Sequence, residues 1–425
     1  MLSPAEQGAF FKDVLPWLKS VVLSAPKVFG DKRVPLLRQG KNEVIQFSHN
    51  ETVILLASAF FSLYPGRSQR GYFTFSGKGD FWGISKKVAN FNFDSFFSAG
   101  FVTPQSDRQL SNLAKVRCVL QFFMTAYELH HSHNDCHFEV SRVSYAQFPD
   151  FRNSRTPLGP FELLKSGFIE NDVESLQVDF ANKVIGGGVL GAGCVQEEVR
   201  FVISPQLLLS RLVCEVLLDN EAVLLSGAAQ YSDYIGYASS FRFQDRRHPG
   251  TILSGVPTTT DLPRGNGKIQ DICVVAVDAI NFSGNVEDQY LASYILREVR
   301  KAFVGFHGPS AEKATCKLGN SGPIATGNWG CGAFGGDVEL KVLIQWIAAS
   351  EAKRPVRYYV FDRKDLLDSF PPVLAKLTNE KWSVGDLFLC LVLYFSNVSA
   401  GLNSATQTVS QYILATNIDE LRELE

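Results

Sequence analysis

Residues 178–201 read VDFANKVIGGGVLGAGCVQEEVRF, and both the fold and the chemistry of the chain turn on this stretch. A triple glycine, Gly186, Gly187 and Gly188, is followed by Gly191 and Gly193 and then by the vicinal acids Glu197 and Glu198. Glycines permit backbone torsions closed to other residues and let a ligand approach the main chain. Carboxylates so close behind them suggest a loop that wraps a polar ligand and presents an acid to it. The flanking apolar runs, VDF and VRFVI, read as short buried strands. The loop then lies beside a sheet, where α/β proteins bind ligands. Adjacent acids in an extended segment point to opposite faces, so one acid is expected to address a reacting bond and the other a hydroxyl or solvent. Read in isolation, a flexible glycine turn ahead of two surface glutamates is the plainer alternative.

At 425 residues the chain exceeds one typical domain. Hydrophobic residues make up 45% and charged residues 20%, the balance of a globular protein rather than a disordered one. Lys and Arg number 41 against 43 Asp and Glu, so broad electrostatic capture of a polyanion is not indicated. A direct DNA-binding role is disfavoured for the same reason. The eight cysteines are scattered without paired spacing, which points to reduced thiols and an intracellular protein. The N-terminal sequence lacks a basic segment ahead of an apolar core, so no secretory signal is expected. The longest apolar run, around Leu387 to Phe395, is too short to span a bilayer.

Up to about Arg117 the apolar spacing is mostly helical, in AFFKDVLPWLKSVVLSA and ETVILLASAFFSLY, with Ser3 and Pro4 fitting a helix start. The stretch from Gly66 to Gly79 reads as a surface loop. HHSHNDCH, from His130 to His137, holds four histidines and a cysteine, but no second pair with zinc-site spacing follows, and a turn between a helix and a strand is the favoured reading. HFEVSRVSYAQF then alternates as a strand does. Downstream, Ser204 and Pro205 should start a helix over QLLLSRLVCEVLL. AVLLSG and ICVVAVDAI read as buried strands, ASYILREVRKAFVGF and DVELKVLIQWIAASEA as helices, and VRYYVF as a further strand. Phe241 to Gly267 reads as a surface excursion. Strands alternating with helices predict an α/β sheet with helices on both faces.

GNWGCGAFGGD carries GxGxxG from Gly330 to Gly335 just before a helix, where backbone amides and the helix N-terminus can cradle a diphosphate. The same short pattern opens dinucleotide folds. It stands late in this chain, however, and no second nucleotide half follows.

The first stretch, with its GGG and QEE separated by seven residues, preceded by DFAN and followed by VRF, resembles the signature of the poly(ADP-ribose) glycohydrolases. ATGNWGCGAFGGD, Ala325 to Asp337, resembles the diphosphate loop of that family, and QYSDYIGY, Gln230 to Tyr237, the segment with its adenosine-side tyrosine. The resemblance implies a macrodomain-like mixed sheet with helices on both faces over residues 138–425, and an N-terminal helical accessory region over residues 1–137. It implies an enzyme that hydrolyses ribose–ribose O-glycosidic bonds of poly(ADP-ribose), mainly from the chain end, releasing ADP-ribose. The implied catalytic set is Glu198 as general acid, Glu197 on the ribose hydroxyls and Asp179 in support. Asn182 and Gln196 would meet the ribose, with the loop at Gly186, Gly187 and Gly188 around it. Ile169 and Glu170 would read the adenine, and Tyr237 and Phe361 would flank the adenosine. Asn328, Trp329, Gly330, Cys331, Gly332, Ala333 and Phe334 would form the diphosphate loop. No metal and no cofactor are expected. The expected partners are poly(ADP-ribose) and poly(ADP-ribosyl)ated proteins, met by a monomer in the nucleus or cytoplasm as part of the DNA damage response. A binding module that reads ADP-ribose without turnover is the alternative, and it would need no acid at Glu198.

Overall fold

The structure, a computed structural model, describes residues 2–64, 89–98, 106–130, 137–247, 272–309, 322–399 and 408–424. The loop expected from Gly66 to Gly79 lies outside them, as do positions 131–136 of the histidine-rich stretch and positions 248–267 of the excursion. Among the described residues the strands are β1 (Glu43–Ser48), β2 (His137–Ser144), β3 (Phe161–Leu164), β4 (Leu176–Ala181), β5 (Glu221–Ala228), β6 (Ser232–Ile235), β7 (Arg242–Arg246), β8 (Ile272–Asp278), β9 (Ile324–Thr326) and β10 (Val356–Tyr359). Eight of them form one mixed sheet in the order β1-β2-β5-β8-β4-β9-β10-β3. The α/β reading therefore holds. β6 and β7 pair separately and antiparallel, so the start of the expected surface excursion is the second strand of a hairpin.

The chain packs as two compact units. One comprises Met1–Arg142, Ala181–Leu217 and Leu225–Ile272. Its first helix starts as read: Ser3 and Glu6 form a reciprocal capping box. Ser48 and Glu51 repeat the device at α1 (His49–Phe60). The long α2 (Asp107–Leu129) is buried without interruption from residue 114 to 123, so its polar side chains need partners inside. Arg117 finds Glu6 at 2.6 Å and Gln121 at 3.0 Å, and Gln121 finds Thr125 at 3.1 Å. The N-terminal region is not purely helical. EVIQFS forms β1, which pairs antiparallel with β2 from Glu43↔Arg142 to Ser48↔His137.

Two expectations fail in this unit. VRFVI is not a strand but the body of α3 (Gln196–Ile203). All five of its residues are buried, which removes the alternation that would tell helix from strand. The helix expected over QLLLSRLVCEVLL is a 3-10 turn, Pro205–Leu208, followed by the short helix Leu209–Val213. It stops because Cys214 turns extended and bridges Leu37, whose amide donates to Val213 O at 2.7 Å. Ser204 does not cap it, since its hydroxyl accepts from Arg200 instead.

The other unit comprises Val143–Phe180, Leu218–Leu224 and Cys273–Glu425. β3, β10, β9 and β4 run parallel here. Every residue of β8 is buried, as its continuous apolar run predicts. Helices α4 (Ala292–His307) and α5 (Val338–Glu351) pack against each other and share one core with Val275, Val277, Ile324 and Trp329. Asp337 caps α5 by accepting from Leu340 N at 2.9 Å. Among the described residues no helix is long and apolar enough to cross a membrane.

Candidate active site

The glycine loop leaves β4 at Asn182 and closes a run of tight turns, with Gly187 N donating to Val184 O, Val189 N to Gly186 O, and both Gly191 N and Gly193 N to Gly188 O. It delivers the chain to α3, whose first turn holds both acids. In a helical turn they need not diverge as strand residues would, and neither faces solvent: Glu197 is 3% exposed and Glu198 6%. Glu197 accepts from Asn182 N at 2.9 Å and from Gly186 N at 2.5 Å. Glu198 accepts from Gly188 N through Oε1 at 2.8 Å and from Val195 N through Oε2 at 2.9 Å. The second bond is half of a capping box. The residue before the helix, Val195, has no side-chain acceptor to complete it, so the acid at the third helical position does the capping alone.

Two glycines make this approach possible. A methyl group on Gly187, which also has φ +44°, would stand 2.6 Å from Glu197 Oε2 and from Glu198 Oε1. One on Gly193 would stand 2.6 Å from Glu198 Oε1. Gly186 is packed against Arg211, whose guanidinium donates to Ile185 O and Gly187 O, both at 3.0 Å. Tyr237, 54% exposed, accepts from Gln196 N through its hydroxyl at 3.2 Å. Of the expected residues, this unit thus gathers Asn182, Gly186, Gly187, Gly188, Gln196, Glu197, Glu198 and Tyr237. It adds one that no motif flagged. Lys115, on α2, is fully buried and donates to Val189 O at 3.1 Å, Gly191 O at 2.7 Å and Gly193 O at 2.5 Å.

The remaining expected residues belong to the other unit. Asp179 lies in β4 with no exposed surface. Ile169 and Glu170 sit in a single 3-10 turn, both buried, with Ile169 packed against Ala325 and Tyr359. The second glycine loop follows β9. Asn328 donates to Val360 O at 3.2 Å and accepts from the Tyr358 hydroxyl at 3.0 Å. Trp329 is 1% exposed and its indole donates to Val277 O at 2.9 Å, so its ring anchors the loop in the core and only its main chain can meet a ligand. Gly336 N returns to Gly330 O at 2.9 Å and Gly335 N to Gly332 O at 3.1 Å. Gly332 and Ala333 are exposed, while Cys331 and Phe334 are half-buried. Burial pushes the Cys331 thiol up to about 12, which makes it unreactive as a nucleophile. Phe361, 37% exposed, holds φ +51°, and its ring closes over Gly327, where a methyl group would meet it at 2.7 Å.

A buried ionic layer supports that loop. Lys341 lies 4.2 Å from the Trp329 ring centroid and pairs with Glu298. Glu298 also meets Arg297 at 2.5 Å, Arg297 meets Asp278 and Asp219 at 2.8 Å each, and Lys301 meets Asp278 at 2.6 Å. Burial opposes the charge on Asp278, yet Lys301 and Arg297 hold its carboxyl below the ordinary range.

A mixed sheet with helices, and a glycine loop that clasps a pair of buried carboxylates, is the frame of a macro domain. Residues 148–368 match the family described as poly(ADP-ribose) glycohydrolase, macro domain fold, and residues 2–140 match its helical domain. The chain belongs to the poly(ADP-ribose) glycohydrolase family. It is 28% identical to poly(ADP-ribose) glycohydrolase 1 of Arabidopsis thaliana, with 93% of this chain and 80% of that protein covered. The probable poly(ADP-ribose) glycohydrolase 2 of the same plant gives the same identity and coverage. Poly(ADP-ribose) glycohydrolase 1 of Caenorhabditis elegans is 35% identical over 53% of this chain and 28% of its own length. The dinucleotide-fold reading of the second glycine loop falls away.

Proposed function

We propose that this poly(ADP-ribose) glycohydrolase cuts ribose–ribose O-glycosidic bonds mainly from the chain end, releases ADP-ribose, and uses Glu198 as general acid. The observation that carries this reading is the seating of Glu198, whose two carboxylate oxygens each accept one loop amide and retain a second lone pair for a proton that can be donated to a substrate oxygen. The departing oxygen belongs to a secondary alcohol and leaves with the proton that Glu198 provides. Positive charge then develops on the distal ribose, as in other oxocarbenium-like glycosidic transition states. The ionised Glu198 next accepts a proton from water as that water attacks the anomeric carbon, and the acid is restored. Glu197, tied to Asn182 N and Gly186 N, is held beside Glu198 to meet the ribose hydroxyls. The amides and helix start of the second glycine loop suit a diphosphate. Protonation by Glu198 supplies the leaving-group activation, so the scheme has no metal step.

A module that only reads ADP-ribose would have no use for a buried acid held in this way, and the non-catalytic reading is not favoured. We further propose that the enzyme works as a monomer on poly(ADP-ribose) and poly(ADP-ribosyl)ated proteins, in the nucleus or cytoplasm, within the DNA damage response, and without binding DNA directly.

Incubating the purified protein with poly(ADP-ribose) in excess chelator should release free ADP-ribose from the first time points. Release of oligomers ahead of ADP-ribose would overturn the chain-end reading, and loss of turnover on chelation would overturn the metal-free scheme. Gly187→Ala should lower kcat by about 10²-fold, the scale expected when a catalytic group is displaced by roughly an ångström. Steady-state turnover beside the wild type measures it, and an unchanged kcat would show that the loop yields without moving the carboxylates.

A further inference from the structure

We propose that Lys115 is a positioning residue for the reaction: its ammonium group gathers the carbonyl groups of Val189, Gly191 and Gly193, and so fixes the loop that clasps Glu197 and Glu198. Main-chain carbonyls of alternate residues rarely converge on one point, because their negative ends repel. Here three of them do, and the group at the focus has three N–H donors, one for each, at 3.1, 2.7 and 2.5 Å. Lys115 has no exposed surface, so water cannot replace it. A charge buried at that cost is kept only where its partners are fixed. The loop is consequently held by opposite charges. Three of its carbonyls point at an ammonium, and the amides of Gly186 and Gly188 point at the two carboxylates. Ser95 adds a hydroxyl to Leu190 O at 3.3 Å, so four of the five carbonyls from Val189 to Gly193 have a tether.

The ammonium form is required, since a neutral amine has two N–H groups for three carbonyls. Burial pushes the Lys115 amine down to about 8; the neighbouring Cys194 and Glu198 act in the opposite direction, and Arg108 adds to the fall. Turnover should therefore decline as pH rises through about 8.

The inference rests on Glu198 as the acid, and the test separates the two. Wild type, Lys115→Met, Lys115→Arg and Glu198→Gln are compared on poly(ADP-ribose) from pH 6 to 9.5. Lys115→Met should lose about 10²-fold in kcat, the cost of a slightly misplaced catalytic group, with KM within threefold of wild type. Lys115→Arg keeps the charge but brings a planar fork that cannot serve three converging carbonyls. It should fold if Lys115→Met does not, turn over more slowly than wild type at neutral pH, and lose the fall near pH 8 that Lys115 adds to the limb set by Glu198 itself. Full kcat in either Lys115 variant would overturn the positioning role while Glu198→Gln remains inactive. Turnover by Glu198→Gln would instead overturn the assignment of the acid.

Discussion

Glu198→Gln should lower kcat on poly(ADP-ribose) by about 10²- to 10⁴-fold, the usual worth of a positioned general acid, while ADP-ribose binding stays near the wild-type value. The glutamine oxygen can still accept from Gly188 N, as Glu198 Oε1 does at 2.8 Å. Its NH₂, however, would face Val195 N, where the carboxylate accepts at 2.9 Å. Two donors then meet, so a modest loss of stability at the start of α3 should accompany the kinetic loss. Single-turnover kinetics and calorimetric ADP-ribose titration distinguish the two effects. A variant that keeps turnover within tenfold would show that leaving-group protonation comes from elsewhere. Glu197→Gln is a useful contrast. Both oxygens of Glu197 accept main-chain amides, so the change meets the same donor conflict without removing the proposed proton source.

Glu298→Gln should destabilise the unit that carries the second glycine loop by about 3–5 kcal/mol, the cost of leaving a buried charge without its partner. Lys341 and Glu298 are each about 1% exposed and face each other directly, so the lysine has no route to water. Arg297 would keep Asp278 and Asp219, which confines the damage to Lys341 and the Trp329 ring above it. Chemical denaturation measures the loss, and amide exchange across residues 327–336 should quicken. Glu298→Leu combined with Lys341→Met removes both charges and should recover much of the stability. If Glu298→Gln unfolds at the wild-type denaturant midpoint, the layer contributes nothing to the loop above it. The same layer sets an acid limit. Asp278 has a folded value below its ordinary 3.8, so its contribution is complete above that value and is lost as pH falls through the lower folded one.

Much of the site was legible because it is local in sequence. The glycines, the paired acids and the Asp337 cap before α5 lie within two short stretches, and each does its work through neighbours a few positions away. The family signature in those stretches placed the fold. What could not be read depends on distant partners. VRFVI looks like a strand because β-branched and aromatic residues bury on all sides, against α2 and the turn at Pro205–Leu208 among others, and the capping signal before it is an unaided Glu198 rather than a serine or threonine. The helix after Pro205 ends where Leu37, far away in the chain, claims Cys214. Lys115 in an apolar helix reads as a side chain that reaches for solvent; its carbonyl partners lie more than seventy residues on. Trp329 illustrates the opposite error: the motif that contains it is expected to face a ligand, but its ring serves the core.

The pairing of β1 with β2 bears on how such a protein can be divided. A fragment that begins at Phe138 would keep the residues of both glycine loops and both acids, yet it would lose β1 and Lys115 together. The first loss uncovers a row of main-chain donors and acceptors from Phe138 to Arg142, an open edge of the kind that recruits other chains into aggregates. The second removes the tether of the loop that clasps both acids. Gene dissection at the boundary that the motifs suggest should thus yield an insoluble and inactive product, and the shortest workable fragment has to start upstream of Glu43.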